Sequence, residues 1–203
     1  MGAVVAGYFG KLPGRADFLS VGLPDDFVVP WDRMIRHMLL APDGDVESGA
    51  RLPTDSIGAP RCGFLLQRGL CGPSAWLGAV MPSRDGVGRS YPFMVGMSCA
   101  ATQLSGFAWD ALAVVDAYCA LLADFSDMLA GGPARDMAWL EQRSTSIAQA
   151  AFAPGSDGGE YIHPLQIDLS TGSTSWWSVM TEGGRSLTRC AGLRMPTHIR
   201  AYI

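Results

Sequence analysis

Lysine is almost absent from this 203-residue chain. Lys11 is the only one, and every other basic side chain, three histidines aside, is arginine. Arginine suits planar, bidentate contacts with carboxylates better than lysine does. Charge of either sign is scarce at 17%, and the formal net charge is -4 with a pI near 5.2. A weakly acidic chain has no basic footprint for phosphate backbones or anionic bilayers, which argues against a dedicated nucleic-acid or membrane binder. The cysteines are odd in number and scattered, at Cys62, Cys71, Cys99, Cys119 and Cys190, with no CxxC pair. Such a set reads as buried free thiols in a reducing compartment, not as a disulfide framework. Of the histidines, His37, His163 and His198, none stands at ligand-pair spacing from a cysteine, so no zinc site is expected. No stretch approaches the ~20 apolar residues of a membrane span. The apolar start, 1–9, lacks a basic segment before it, and Lys11 follows it, which is the wrong polarity for a signal peptide. The cytoplasm is the expected location.

Hydrophobic residues make up 48%, enough for a sizeable core and far from a disordered profile. Residues 3–9 read as a short buried strand, and 10–24 as a loop punctuated by Gly10, Pro13, Gly14, Gly22 and Pro24. A helix is expected from Pro30 to Leu40, with Pro30 in its first turn, where a missing N–H costs nothing. Trp31, Met34, Ile35, Met38 and Leu39 give it an apolar stripe at helical spacing. The polar segment 42–60 reads as a surface loop.

Three apolar runs follow, Cys62–Leu70, Ala75–Met81 and Tyr91–Met97, separated by turn clusters. The connections are too short for crossover helices, so these are strands of one largely antiparallel sheet. A long helix is expected over 107–129, capped by Ser105, and a second over 134–152. Segments 162–169 and 174–180 read as two more strands. The tail 185–203 shows no clear period. The expected fold is α/β: a single mixed sheet of about six strands packed with about three main helices, in one domain over 1–203.

Catalytic patterns are few. Gly7-x-x-Gly10-Lys11 is too short for a phosphate loop, and Leu12 stands where magnesium-binding Ser or Thr is needed. No GxSxG occurs. Ser74, after Cys71-Gly72-Pro73, is the nearest thing to a nucleophile elbow, but it precedes a strand and not a helix. Nothing in the sequence would lower the pKa of Cys71. Asp25, Asp26 and Asp32 are explained by helix capping and loop solvation. Asp17, in Arg15-Ala16-Asp17-Phe18, has two readings: an Arg15–Asp17 pair fixing the loop, or a partner-facing group.

Two segments together resemble a known family. The first runs Gly7-Tyr8-Phe9-Gly10-Lys11-Leu12-Pro13-Gly14-Arg15-Ala16-Asp17-Phe18, followed by Leu23-Pro24, Phe27 and Pro30-Trp31-Asp32. The second runs Cys71-Gly72-Pro73-Ser74-Ala75-Trp76-Leu77-Gly78-Ala79-Val80-Met81-Pro82-Ser83-Arg84-Asp85, followed by Val87-Gly88-Arg89 and Tyr91-Pro92-Phe93. Both are similar to the N-terminal signature of TagF proteins of type VI secretion clusters. Ser175-Trp176-Trp177 resembles a tryptophan pair near the end of longer members. The match is dense over 1–98 and sparse in the helical and strand-rich part, 105–203. Ala16 departs from the glycine usual there.

The resemblance implies a non-enzymatic, post-translational repressor of type VI secretion. It implies contact with an apparatus component such as the forkhead-associated scaffold protein, and no cofactor. The other reading is an enzyme or small-molecule sensor near Ser74 and Cys71 or in the loop from Gly10 to Asp17. For partner binding the candidates are Arg15, Asp17, Arg84, Asp85, Arg89, Trp176 and Trp177. In a strand the two tryptophans must face opposite ways, so one is core and the other faces solvent, a helix or a partner. The five charged residues are expected to lie together, provided that strands 3–9 and 75–81 are parallel neighbours.

Overall fold

The structure is a computed structural model, and it describes residues 4–40, 62–99, 111–130, 137–151, 169, 172–181, 184–196 and 199. The segments 42–60, 105–110 and 162–168, read above as a loop, a helix start and a strand, lie outside the described residues.

Seven strands form one sheet: β1 Ala6–Gly10, β2 Leu19–Val21, β3 Cys62–Leu66, β4 Ala75–Met81, β5 Phe93–Cys99, β6 Thr174–Thr181 and β7 Gly184–Ala191. Their order is β2-β1-β5-β4-β3-β6-β7, and every pairing is antiparallel. Three helices accompany it: α1 Asp25–Leu40, α2 Ala111–Ala130 and α3 Met137–Ala150. The fold class and the single sheet are as expected from the sequence. The seventh strand, β7, falls in the tail that showed no period. Its burial pattern alternates only weakly because it is an edge strand with much of its length in solvent.

Both faces of the sheet are covered, which explains the unbroken apolar runs. Along β4, Ala75, Leu77, Ala79 and Met81 pack against α2 and α3, while Trp76 and Val80 pack against α1. A strand buried on both sides needs apolar residues at every position, so period-two alternation disappears. Where backbones crowd, glycine replaces them. A Cβ on Gly78 would strike the Val95 carbonyl and crowd Gly96 and the Phe64 ring.

Helix α1 begins at Asp25, earlier than the expected Pro30. The Pro24 carbonyl accepts from Phe27 and Val28 N–H, both at 3.0 Å, and Asp25 and Asp26 sit in the first turn. Carboxylates there complement the positive end of the helix dipole. Pro30 therefore lies inside the helix. Its missing N–H falls one turn past the start, where only one intrahelical bond is lost. The stripe itself stands: Trp31, Met34, Ile35 and Met38 are buried, joined by Phe27, while Leu39 is exposed.

Trp177 is fully buried on the α1 side, 6.1 Å from Trp31 and 6.2 Å from Phe64 between ring centroids. Trp176 points to the opposite face and is buried in the α2/α3 core. The opposite orientations follow from the strand period. Of the three alternatives for the second ring, solvent, a helix or a partner, the helix holds: Trp176 joins the α2/α3 cluster, and burial leaves neither ring for a partner.

Candidate interaction surface

The two resemblance-bearing segments meet at one end of the sheet. Strand β1 is antiparallel to β5, and β5 to β4, so β1 and β4 run parallel with β5 between them. They are not neighbours, as the sequence argument supposed. The consequence is the same, because two antiparallel steps restore direction and both strands deliver their loops where β5 begins. Gly10, at φ 139°, makes the junction possible: a Cβ there would strike the Pro92 carbonyl.

The first loop opens with a turn in which Arg15 N–H donates to the Leu12 carbonyl at 3.2 Å. Pro13 and Gly14 occupy its centre, Gly14 at φ 79°, the arrangement a type II turn requires. The second loop is a tight hairpin. Arg84 bridges Ser90, Tyr91 N–H donates to the Ser83 carbonyl at 3.0 Å, and Gly88 N–H donates to the Asp85 carbonyl at 3.0 Å.

Asp85 holds the two loops together. Its side chain is inaccessible to solvent. Its Oδ2 accepts from Lys11 Nζ at 2.8 Å and from Arg89 Nε at 2.7 Å, and its Oδ1 accepts from the N–H groups of Val87 and Arg89 at 3.1 and 2.9 Å. The Lys11 ammonium, helped by Arg89 and these backbone donors, holds the Asp85 carboxyl well below the usual carboxylate range. Two backbone bonds complete the joint: Ser83 Oγ donates to the Lys11 carbonyl at 2.6 Å, and Gly86 N–H to the Arg15 carbonyl at 3.2 Å.

An aromatic cluster adjoins this joint. Phe18 stacks on Phe9 at 5.6 Å and meets Tyr91 edge-on at 4.7 Å. Lys11 Nζ lies 4.8 Å from the Phe18 ring centroid, and the Arg36 guanidinium carbon lies 5.7 Å from it. Asp32 accepts from Tyr91 Oη at 2.7 Å and from Arg36 Nε at 2.6 Å, which fixes α1 to the start of β5. Burial, then the Asp32 carboxylate, push the Tyr91 hydroxyl far above its ordinary pKa.

The charged candidates thus occupy one sheet end, but they differ in what they offer. Arg15, Asp17 and Arg89 are exposed, Arg84 is half-buried, and Asp85 is buried. Asp85 therefore acts as the internal tie between the loops and presents nothing outward. Arg15 and Asp17, both exposed, form no ion pair with each other, and the bonds that hold Arg15 are those of its backbone. The sequence argument weighed Lys11 only for a phosphate loop and gave Asp32 to helix capping and loop solvation; Asp32 instead lies inside α1 and binds Tyr91 and Arg36. The Asp32–Arg36 pair could have been found from its i,i+4 spacing on a helix, but Lys11–Asp85 spans the chain too widely for any local rule.

Ser74 and Cys71 lie at the other end of β4. Cys71 is fully buried, its thiol pushed up to about 12 by burial and by the Asp26 carboxylate. That is the reverse of what activates a thiolate nucleophile. Ser74 is half-buried at the entry to the strand. No helix among the described residues is long and apolar enough to cross a membrane.

The geometry defines an α/β protein with a doubly covered antiparallel sheet and two loops tied by a buried ion pair at one sheet end. A family model described as TagF N-terminal domain, type VI secretion system-associated, matches residues 7–149. The chain belongs to that family, and both tied loops fall inside the matched region. The chain is also similar to the crystal structure of PA0076 from Pseudomonas aeruginosa PAO1, at 23% identity and TM-score 0.50, over 93% of this chain and 89% of that one. Likeness at this identity speaks for the fold alone. No curated protein matches the chain.

Proposed function

We propose that this protein is a non-enzymatic, post-translational repressor of a type VI secretion system. It acts in the cytoplasm, by protein–protein contact with an apparatus component such as the forkhead-associated scaffold protein. The observation that carries the reading is the family match over residues 7–149. The use made of the matched motifs supports it. Lys11 and Asp85, the groups most suggestive of chemistry, are spent on each other in tying two loops. The tie fixes the Arg15 backbone and the Arg89 side chain at the surface, where pre-set groups cost less to order on binding. The test is genetic. Deleting the gene raises effector release, and overproduction lowers it. Unchanged release in both strains, with a competent apparatus, rejects the proposal.

A further inference from the structure

The end of the sheet that carries the tied loops brings exposed arginines and exposed apolar side chains together. Val87, at the tip of the hairpin, is 73% exposed, and Phe18, which lies against Lys11 on the other side of the Lys11–Asp85 pair, is 37% exposed. Single exposed apolar residues are ordinary. These two are held in place, Val87 by its N–H bond to Asp85 and Phe18 by Phe9, Tyr91 and two cations. A fixed apolar contact loses little entropy on binding.

Around them stand arginines. The side chains of Arg36 and Arg89 are 59% and 67% exposed, and Arg15 is exposed next to the hairpin. Arg36 and Arg89 each engage an aspartate through Nε, which leaves their terminal amino groups outside those bonds. The aspartates are spent inward. Asp32 also serves Tyr91, and Asp85 also serves Lys11 and two backbone N–H groups. Asp17 is exposed at this end, and so is Glu141 of α3, which accepts from Tyr8 Oη at 2.9 Å. Asp25 and Asp26 start α1 at the far side, where a Cβ on Gly72 would meet the Asp26 carboxylate. In a chain of net charge -4, cations at this end, Lys11, Arg15, Arg36, Arg84 and Arg89, outnumber the acids Asp17, Asp32, Asp85 and Glu141 by one, and arginines surround two exposed apolar groups.

Resting on the reading that the protein works by protein contact, we infer that Arg15, Arg36, Arg89, Phe18 and Val87 form a docking face for an acidic protein segment carrying an apolar side chain. Carboxylates of the segment meet the arginine terminal amino groups in paired hydrogen bonds. Its apolar side chain covers Val87 and Phe18. The rest of the chain is acidic in sum, so charge favours this end for such a segment. The arginines are few and mixed with Asp17, which suits a short protein segment better than the continuous charge of a nucleic acid or a bilayer.

The test uses the full 203-residue chain and, as probe, a fluorescent peptide of glutamates around one central leucine, read by anisotropy. Its counterpart with lysines for glutamates is the control. Wild type binds the acidic peptide, more weakly as salt rises, and does not bind the basic one. The side chains of Arg15 and Val87 make none of the bonds of the Asp85 tie, whose contacts there are backbone, so Arg15→Glu and Val87→Asp keep the wild-type melting temperature. Combined, they weaken binding by at least about tenfold, while Arg189→Glu on β7 leaves it unchanged. Failure of wild type to bind, equal binding by the double variant, or equal weakening by Arg189→Glu overturns the inference. Tighter patch-dependent binding to phosphatidylglycerol vesicles or to single-stranded DNA overturns the assignment to a protein segment. A scaffold protein captured equally by wild type and double variant also overturns it, while leaving repression intact. Patch-dependent peptide binding in a protein whose deletion does not change effector release has the opposite meaning: the docking face stands and the repressor reading falls.

Discussion

Lys11 Nζ lies 2.8 Å from Asp85 Oδ2, and neither side chain reaches solvent appreciably. The pair spans 74 positions of sequence and joins the loop after β1 to the loop after β4. Breaking a buried pair costs more than its Coulomb energy suggests, because the remaining charge stays desolvated. Lys11→Met is therefore expected to lower the melting temperature by several degrees. It should also speed amide exchange at Val87 and Arg89, whose N–H groups bond to the same carboxylate. An unchanged exchange pattern would remove Asp85 from its role as the tie.

Arg89 shares the carboxylate but sits mostly in water. Exposed ion pairs contribute little. Arg89→Gln should shift the melting temperature by a small fraction of the Lys11→Met shift. Equal shifts in calorimetry would mean that the two cations hold the loops equally.

The depressed Asp85 carboxyl has a consequence for acid stability. Its folded pKa lies below its unfolded value near 4. The unfolded chain thus takes up the proton first, and stability falls as pH falls. The contribution is complete above about pH 5 and is lost progressively below that. Asp85→Asn lacks this group and should show a flatter decline in melting temperature between about pH 5 and about pH 2. A parallel decline in both proteins would exclude Asp85 as a source of the pH dependence.

Trp177 fills the α1-side core between Trp31 and Phe64. Trp177→Ala should cost about 3–5 kcal/mol in urea unfolding, the range for deleting a large buried aromatic ring. A cost below about 1 kcal/mol would contradict full burial.

All five cysteines are free thiols, with Cys62, Cys71 and Cys99 buried and Cys119 and Cys190 half-buried. Burial pushes the Cys71 and Cys99 thiols up to about 12 and the Cys62 thiol further. Under native alkylation Cys119 and Cys190 should react first. The other three should stay unmodified even at mildly alkaline pH, and should react after denaturation. Mass spectrometry of the alkylated chain reads this directly. Early labelling of Cys71 would contradict its burial.

Much of the fold was legible because it is local. The stripe of Trp31, Met34, Ile35 and Met38 has a helix period, and the runs around Leu65, Leu77 and Val95 are too short and too apolar for anything but covered strands. Short connections forced those strands to be antiparallel. The start of α1 was misplaced because Pro30 gives a stronger signal than the Pro24 carbonyl, whose capping bonds exist only once the turn has formed. Strand β7 was missed because an edge strand in solvent needs little apolar alternation.

The sequence by itself determined the family, the α/β class, the free thiols and the two loops worth attention. The tertiary structure decided what those loops contain. Sheet order placed β5 between β1 and β4, and that strand returned both loops to the same end. Only there did Lys11 meet Asp85, turning a candidate partner-facing acid into a buried tie and leaving the side chains of Arg15, Arg89 and Val87 exposed around it. Likewise, strand period sent Trp176 and Trp177 to opposite faces, but only the helices on both sides made both of them core. The physical reason is the same in each case. Periodicity and turn chemistry act over a few residues, whereas burial and ion pairing depend on which distant segments the sheet brings together.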